Sequence, residues 1–456
     1  MYPQNSIWTF VFSILVVAAA CLPCKAAGSQ AQQLPARSTQ GSIDALKAQL
    51  EELKADYDRR IRELEARVEQ LQTQAAAAEE SAATAPVVTA PPVQTIPGAL
   101  NPAITVMGNF VGRADSRKVF NDEGQRIDGK VNLREAEIDM RVPVDPYADG
   151  VLITSLESEF PGQFSVAVEE GYVNIKKLPF VSHMPLGLRF KVGRFRPAFG
   201  KTNLLHTHDL PQTNRSLATE GFLGEEGFVQ NGISSGFFIP TPWDASSSLD
   251  ATLEFLNGGD IAIAPDPASR AAYNGHLRWF RSVADAHNVE LGWSTYFRPR
   301  GRGFDSTRLH GVDFMYRWKP LRQGEWKSFL LAGEVMFSPR AHPEAAEPVD
   351  VQLSREGLEP GSGRPVGWSV FTQWQFDRRK YAGLRVDGAD ALFHPGLKRH
   401  SVTPYLSYYF SEFLRFRVNF EHRWSDFRTE DRRNSVFLEL NWVFGSHPPE
   451  PFWVNK

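Results

Sequence analysis

The chain has 456 residues, of which 42% are hydrophobic and 23% are charged, and its formal net charge is −3. This balance excludes a largely disordered chain and a strongly basic nucleic-acid-binding protein, so no nucleic-acid partner is expected. The 12% aromatic content, together with 35 glycines and 31 prolines, favours strands and turns over helices.

The N-terminus predicts a secretory signal peptide over residues 1–26. Its apolar run "IWTFVFSILVVAAA" is too short to cross a hydrocarbon layer of about 30 Å, and small residues follow it. The preceding "MYPQNS" lacks the lysine or arginine that such peptides usually carry. A lipoprotein anchored at Cys21 is the alternative, although "AAAC" lacks the usual leucine three residues before the cysteine. Because Cys21 and Cys24 both lie in or beside the signal, the mature chain is expected to contain no cysteine.

Residues 41–74 predict a coiled coil, which we expect in the periplasm. Apolar residues recur there at intervals of three and four, as in a heptad seam, and the other faces are charged. The seam comprises Ile43, Leu46, Leu50, Leu53, Tyr57, Ile61, Leu64, Val68 and Leu71. Such a helix hides its apolar stripe by pairing, so oligomerisation is expected; a single solvated helix is the alternative. Residues 75–100, rich in Ala, Thr and Pro, predict a semi-extended linker.

From residue 101 to residue 445, apolar and polar residues alternate with period two, as in "VELGWSTYF" and "SVFLELNWVF". About sixteen such segments are joined alternately by short and long links, which is typical of a transmembrane antiparallel β-barrel of the bacterial outer membrane. The predicted fold class is therefore all-β, with residues 446–456 as a C-terminal tail in the periplasm. The predicted strands begin near residues 103, 132, 150, 164, 187, 227, 247, 271, 288, 309, 328, 366, 379, 400, 412 and 435.

A soluble β-sandwich also alternates in this way and is the alternative fold. The abundance of tryptophan near the ends of the predicted strands favours the barrel, because aromatic girdles mark the two interfaces of a membrane. These tryptophans are Trp243, Trp279, Trp318, Trp326, Trp374 and Trp424.

One face of the predicted strands carries many charges, which lipid does not accept, so this face is expected to line a hydrated lumen. Acids and bases nearly balance, although acids gather on the second strand and bases on the fifth and fifteenth, which allows a transverse field. The pore-lining candidates from this pattern are Glu135, Glu137, Asp139, Arg189, Lys191, Arg385, Arg415 and Arg417. No serine or aspartate has a persuasive histidine partner motif, so enzymatic activity is not expected.

The longest predicted link, residues 196–225, is the candidate for folding into or capping the pore. His206 and His208 are separated by one residue, which places both imidazoles on one side of an extended chain. Asp209 extends the set, so a transition-metal site, with zinc as the candidate ion, is chemically possible. The alternative is a polar loop whose histidines form local hydrogen bonds, because no third or fourth ligand is indicated nearby. No other cofactor is expected.

Two stretches resemble known outer-membrane families. The stretch "LRFKVGRFRPAFGKTN" is similar to the phosphate-selective porin-like family, in which a basic strand enters an inward-folding loop. The stretch "HTHDLPQTNRSLATEGFLGEEGFVQNG", with "VFGSHPPEPF" near the C-terminus, resembles uncharacterised outer-membrane proteins labelled zinc-regulated TonB-dependent receptors.

The first resemblance implies trimeric diffusion channels with a basic constriction, onto which Arg189, Lys191, Arg194 and Arg196 map. Phosphate selectivity is not implied, because the lysine-rich loop of that family is not evident here. TonB-dependent receptors have about 22 strands and a folded plug. The region before residue 101 shows a signal, a coiled coil and a linker in place of a plug.

The sequence thus predicts a porin of the Gram-negative outer membrane, forming a water-filled channel for passive diffusion of small hydrophilic solutes or ions. The expected partners are outer-membrane lipid, two further copies in a homotrimer, and the barrel-assembly machinery, which reads a last strand ending in an aromatic residue such as Phe444. The alternative is a non-conducting barrel that binds a metal or ligand through its long loops, with the coiled coil as an envelope tether.

Overall fold

The computed structural model describes most of the predicted barrel and four residues before it. The described residues are 51, 55, 59, 62, 102–119, 126–158, 164–259, 261–263, 270–301, 306–339, 363–392, 394, 396–426, 432–446 and 451–454. The four early residues, Glu51, Ala55, Arg59 and Arg62, are helical and exposed. The rest of the predicted signal, coiled coil and linker lies outside the described residues, so these three assignments stay predictions. No helix in the described ranges is long and apolar enough to cross a membrane.

Within the described part of the chain, sixteen antiparallel strands form a closed barrel in which each strand pairs with its neighbours in sequence and β1 pairs with β16. This agrees with the predicted number of strands, and closure leaves no free sheet edge. The strands are β1 (Ala103–Asp115), β2 (Val131–Asp145), β3 (Ala148–Glu157), β4 (Ser165–Ile175), β5 (Arg189–Phe195), β6 (Gln230–Ile239), β7 (Ser247–Leu256), β8 (Ala272–Ala284), β9 (His287–Arg298), β10 (Thr307–Trp318), β11 (Ser328–Phe337), β12 (Val366–Asp377), β13 (Lys380–Asp390), β14 (Lys398–Ser411), β15 (Leu414–Ser425) and β16 (Arg433–Gly445).

Side chains alternate between an apolar outer face and a polar inner face. On β2, Glu135, Glu137 and Asp139 are buried on the lumen side, whereas Ile138 between them is exposed on the outside. The same outward exposure of large apolar residues recurs around the ring. Further examples are Ile104, Phe110, Leu152, Leu253, Leu291, Leu384, Leu406 and Leu438.

The links at the two ends of the barrel differ in length. At the end where β1 begins, β2–β3, β8–β9, β12–β13 and β14–β15 are each joined by two residues. At the opposite end, β5 and β6 are joined by residues 196–229, which we call the inward loop. Short periplasmic turns and long extracellular loops are the usual arrangement of outer-membrane barrels.

Strand β4 contains a bulge that alternation alone does not predict. Ile153 of β3 pairs with Glu170 and the next residue, Thr154, pairs with Val168, so Glu169 is an extra residue in β4. A bulge redirects a side chain relative to the regular pleat. As a result, the neighbouring carboxylates of Glu169 and Glu170 are both buried on the lumen side.

The inward loop contains one short α-helix, α1 (Leu217–Leu223), and two 3-10 turns, Thr202–Leu204 and Thr207–Asp209. Helix α1 begins after Ser216, whose Oγ accepts a hydrogen bond from the backbone N–H of Thr219. It ends at Gly224, whose φ of 114° favours glycine. The helix packs against β12 and β13, which places it deep within the ring.

Candidate functional site

The inward loop lies inside the barrel. Its residues contact lumen-side residues of strands on opposite sides of the ring, which is possible only from the interior. Ala198 contacts β7, Gly200 contacts β9, and Asn214 contacts β13 and β15. The predicted inward or capping segment therefore occupies part of the lumen, where it is attached to the wall.

The loop enters the lumen at Arg196. The guanidinium of Arg196 donates to Glu169 Oε2 at 2.7 Å and to the carbonyl oxygen of Glu226 at 2.6 Å. Both Arg196 and Glu169 are buried, so this ion pair lies out of bulk water. Arg196, the first residue of the loop, therefore connects the start of the loop to the bulge of β4 and to the last turn of the loop.

A first attachment, the lysine anchor, consists of Lys201, Thr202, Glu290 and Glu334. Lys201 Nζ pairs with the carboxylate of Glu290 on β9. Glu334 on β11 accepts hydrogen bonds from the backbone N–H groups of Lys201 and Thr202, and from Thr202 Oγ1 at 2.7 Å. Gly200, with φ of 61°, makes the turn that aims these two N–H groups at one carboxylate.

A second attachment, the histidine anchor, consists of His206, His208, Glu135, Glu137, Glu169 and Glu170, all buried. His206 Nε2 donates to Glu170 Oε1 at 3.0 Å. Its other ring nitrogen, Nδ1, lies 2.7 Å from Glu169 Oε2 and 3.1 Å from Glu137 Oε2. One imidazole from the loop thus faces three carboxylates from β2 and β4.

His208 occupies the neighbouring position in the histidine anchor. Its Nδ1 donates to Glu135 Oε2 at 3.2 Å and lies 3.9 Å from Glu137 Oε2. The Asp209 carboxylate is 3.6 Å from Nε2 on the other side of the ring and is half-buried. Asp209 therefore stands outside the group of carboxylates that His206 and His208 share, contrary to the predicted set of three ligands.

The carboxylates of the wall determine the protonation of these two loop histidines. Burial lowers the pKa of His206 and the charge of Arg196 lowers it further, but Glu137 and Glu169 raise it well above its ordinary value. Burial also lowers the pKa of His208, and Asp209 and Glu135 together raise it to about 9. With no other cation present, both imidazoles are therefore protonated at neutral pH.

A basic part of the wall, on β13 and β15, holds carbonyl groups of the loop. Arg415 on β15 donates to the His208 carbonyl oxygen at 2.6 Å, and Arg385 on β13 donates to the Asn214 carbonyl oxygen at 2.7 Å. Arg417 is fully buried and pairs with Glu439 at 3.1 Å. The three arginines lie in the barrel interior, and Arg385 and Arg415 also hold the loop.

Part of the C-terminal tail also lies in the lumen. Trp453 is buried beside the guanidinium groups of Arg415 and Arg417, and its indole N–H donates to the Asp209 carbonyl oxygen at 2.6 Å. Trp453 and Val454 join an apolar cluster with Phe371 and other residues of β10 to β14. The expectation that residues 446–456 lie wholly in the periplasm is therefore wrong for 451–454.

The predicted pore-lining residues of β5 divide between the two faces. Lys191 lies on the lumen side, 4.4 Å from the Tyr172 ring centre, and Arg189 shares this face at the turn end of the barrel. Arg194 does not line the lumen: it shares the outward face with Val192, and its Nε donates to the Val168 carbonyl oxygen. The prediction for Arg194 failed because it lies three positions after Lys191, so regular alternation sends it to the opposite face.

Several residues that hold the loop are missing from the sequence-based set. Glu169 and Glu170 are adjacent, and regular alternation would send one of them outward, so only recognition of the bulge reveals the pair. Lys201 is not in that set, and no local pattern links it to Glu334, which is 133 positions away. Asp139 faces the lumen as predicted, but it pairs with Arg141 at 2.8 Å and contacts neither anchor histidine within 4 Å.

The fold and the site together define a closed sixteen-stranded β-barrel with a charged lumen that an inward loop crosses. No family model matches the sequence. A protein of Aquifex aeolicus (strain VF5), described only as uncharacterized, is 24% identical over 353 residues and covers 70% of each chain.

Solved structures with a similar fold are outer-membrane proteins. OmpF of Salmonella typhi in complex with daunomycin is 12% identical, covers 75% of this chain and 97% of its own, and has a TM-score of 0.49. The outer membrane channel DcaP of Acinetobacter baumannii is 10% identical, covers 75% of this chain and 96% of its own, and has a TM-score of 0.48. With TM-scores below 0.5, these similarities carry no further conclusion about this chain.

Proposed function

We propose that the protein is an outer-membrane channel for passive diffusion of small hydrophilic solutes or ions. The observation that carries this proposal is the pairing of an apolar outer face with a charged inner face around a closed ring. A closed barrel satisfies all its backbone hydrogen bonds internally, as a lipid environment requires. The matching cellular location is the outer membrane of a Gram-negative bacterium.

Aromatic residues on both ends of the barrel support a membrane location. Near the turn end, Trp318 stacks on Trp374, and Trp442 stacks on Phe444. Near the loop end, Trp424 stacks on His400. Aromatic rings at two levels are what the two interfaces of a bilayer favour.

The lumen supports diffusion that loop position and charge control. Sixteen strands enclose enough space for an aqueous channel unless other segments fill it. Acids of β2 and β4 face the loop from one part of the ring, and acids of β9 and β11 face it from nearly the opposite part. Arg385 and Arg415 face it from the strands between β11 and β2. A solute passing beside the loop therefore meets fixed charges of both signs, which tune selectivity between ions and small polar molecules.

The remaining parts of the proposal rest on the sequence. A signal peptide over residues 1–26 directs export, and Phe444 near the end of β16 serves as the recognition residue for the barrel-assembly machinery. The heptad seam of residues 41–74 supports oligomerisation in the periplasm, with a homotrimer as the expected state. Mass measurement of the detergent-solubilised protein, with and without residues 27–74, tests the oligomer and the part the coil has in it.

Single-channel recording tests the proposed function. Purified, folded protein in planar bilayers should give discrete current steps that scale with salt concentration. A folded barrel that inserts into bilayers without current steps would contradict the proposal. Folding is checked independently by the change in electrophoretic mobility between unheated and heated samples.

One observation favours a second candidate, a non-conducting barrel that binds a ligand through its loops. Apolar side chains, including Trp453 and Phe371, fill part of the lumen in addition to the inward loop. The same recording separates the two candidates, because the non-conducting barrel predicts insertion without current steps. In that case the coiled coil would act as an envelope tether.

A further inference from the structure

Two overlapping groups of metal-binding side chains lie within the histidine anchor. The first is Glu137, Glu169 and His206, and the second is Glu135, Glu137 and His208. In each group, one potential ligand atom per residue lies within 4.8 Å of the others, and every residue is buried. Glu137 belongs to both groups, so the carboxylate of this one β2 residue joins them.

The orientation of His206 leaves two buried atoms without a hydrogen bond. Because an ionised carboxylate only accepts, Nε2 carries the proton of the bond to Glu170; in the neutral imidazole, which is the form that binds a metal ion, Nδ1 is then unprotonated. The Nδ1 lone pair then faces the Glu169 and Glu137 oxygens at 2.7 Å and 3.1 Å. Within the described residues, His206 Nδ1 and Glu137 Oε2 are buried atoms with no aligned hydrogen bond. A cation between these lone pairs would satisfy both atoms.

The hydrogen bond from His206 Nε2 to Glu170 is the arrangement expected of a metal-bound histidine. A metal-bound imidazole commonly donates its other N–H to a carboxylate, which fixes the tautomer and the ring orientation. Glu170 is placed to do this because the bulge of β4 brings it to the lumen side beside Glu169. The bulge thus supplies a ligand and an orienting carboxylate from adjacent positions.

The donor atoms suit a small divalent cation. One imidazole nitrogen with carboxylate oxygens is a donor set that suits zinc and its neighbours among the transition metals. Ligand atoms about 2.0–2.2 Å from a tetrahedral ion lie roughly 3.3–3.6 Å from one another. In the triad of Glu137, Glu169 and His206, the Nδ1–oxygen separations of 2.7 and 3.1 Å are shorter than this, so the carboxylates would move apart by a few tenths of an ångström around a bound ion.

The negative charge of the histidine anchor also favours a bound cation. Four glutamates of the histidine anchor face one another, and the buried arginine that contacts them is Arg196, which shares Glu169 Oε2 with His206. One divalent ion adds the same positive charge as two protonated imidazoles. Buried carboxylates are stable when cations pair with them or when they are protonated, and a divalent ion is one way to balance this group.

We propose that the triad of Glu137, Glu169 and His206 binds a divalent transition-metal cation of the zinc type, with His208 and Glu135 beside it. The ion links the inward loop to β2 and β4 from inside the lumen. Metal binding at this place is independent of whether the barrel conducts, so this proposal and the proposed channel function succeed or fail separately.

Zinc titration of the folded full-length protein tests the site. After removal of metal with EDTA, isothermal titration with Zn²⁺ at neutral pH should show saturable binding. The variant His206→Gln/His208→Gln should bind Zn²⁺ at least tenfold more weakly. The matched control His183→Gln/His422→Gln removes two histidines away from the anchor and should bind as the wild type does.

A second variant keeps the test decisive if the histidine variant does not fold. Glu137→Gln preserves the shape of the side chain shared by both triads and should also weaken Zn²⁺ binding at least tenfold. Absence of saturable Zn²⁺ binding to the folded wild type, or equal binding by wild type and both anchor variants, would overturn the proposal. The histidine anchor would then hold two protonated imidazoles and no metal.

Discussion

The inward loop meets acidic residues of the wall at two places, and the two differ in the cation that faces the acids. At the lysine anchor, Lys201 supplies a fixed positive charge, and backbone N–H groups complete the partners of Glu334. At the histidine anchor, four glutamates face two imidazoles whose charge depends on protons or on a bound ion.

This difference indicates which part of the loop is held by groups of the protein alone. The lysine anchor is balanced by groups that are always present, so it should hold the loop under all ordinary conditions. The negative charge of the histidine anchor is balanced by protons or by a metal ion taken up from solution. The strength of this attachment therefore depends on pH and on the metal ions present. The loop is therefore expected to be permanently fixed near Lys201 and adjustable near His206.

The largest effect on the local stability of the inward loop is expected from Lys201→Met. This change leaves Glu290 buried without its cation, which typically costs about 3–5 kcal/mol. Hydrogen exchange of the amides of residues 200–204 should show opening that is easier by this amount. Lys118→Met, at an exposed position in the first long loop, is the control. Unchanged protection in Lys201→Met would show that this anchor does not hold the loop.

A smaller effect is expected from His206→Gln in metal-free protein. The glutamine amide replaces the donor to Glu170 only in part, and a buried carboxylate loses a partner at a cost of about 1–3 kcal/mol. Hydrogen exchange of residues 205–209 should accelerate while residues 200–204 stay protected. Equal acceleration of exchange in residues 200–204 and 205–209 would contradict the distinction between a fixed lysine anchor and an adjustable histidine anchor.

The smallest effect on the loop is expected from Trp453→Ala. The loop loses one hydrogen bond, from the indole N–H to the Asp209 carbonyl oxygen, worth about 1 kcal/mol. Hydrogen exchange should accelerate only in residues 205–209, at the histidine anchor. Single-channel conductance should rise because the tail leaves the lumen. Trp243→Ala, exposed in the β6–β7 link, should change neither quantity. A conductance equal to that of the wild type would show that the tail does not narrow the passage.

Much of the barrel could be predicted from the sequence because period-two alternation is a local property of each strand. Glu135, Glu137 and Asp139 alternate with apolar neighbours and lie on the lumen side. The observed starts of the strands, such as Ala103 and Val366, coincide with the predicted ones to within about three residues.

The site was less predictable because it depends on distant residues and on exceptions to alternation. His206 and His208 were recognised as possible ligands, but their partners come from β2 and β4, which local sequence does not link to the loop. The bulge at Glu169 and the end of β5 before Arg196 each shift a side chain by one position. Such shifts place Glu170 and Arg196 on the lumen side against the regular pattern, whereas Arg194 lies outside in agreement with it.

Thiol accessibility of β5 tests the central claim most directly, namely that the charged inner face lines a water-filled passage. The expected absence of cysteine from the mature chain makes single cysteines specific probes. A membrane-impermeant thiol reagent should reduce the single-channel current of Lys191→Cys, whose side chain faces the lumen, and leave that of Arg194→Cys unchanged. Equal block of both variants, or block of Arg194→Cys alone, would contradict this account.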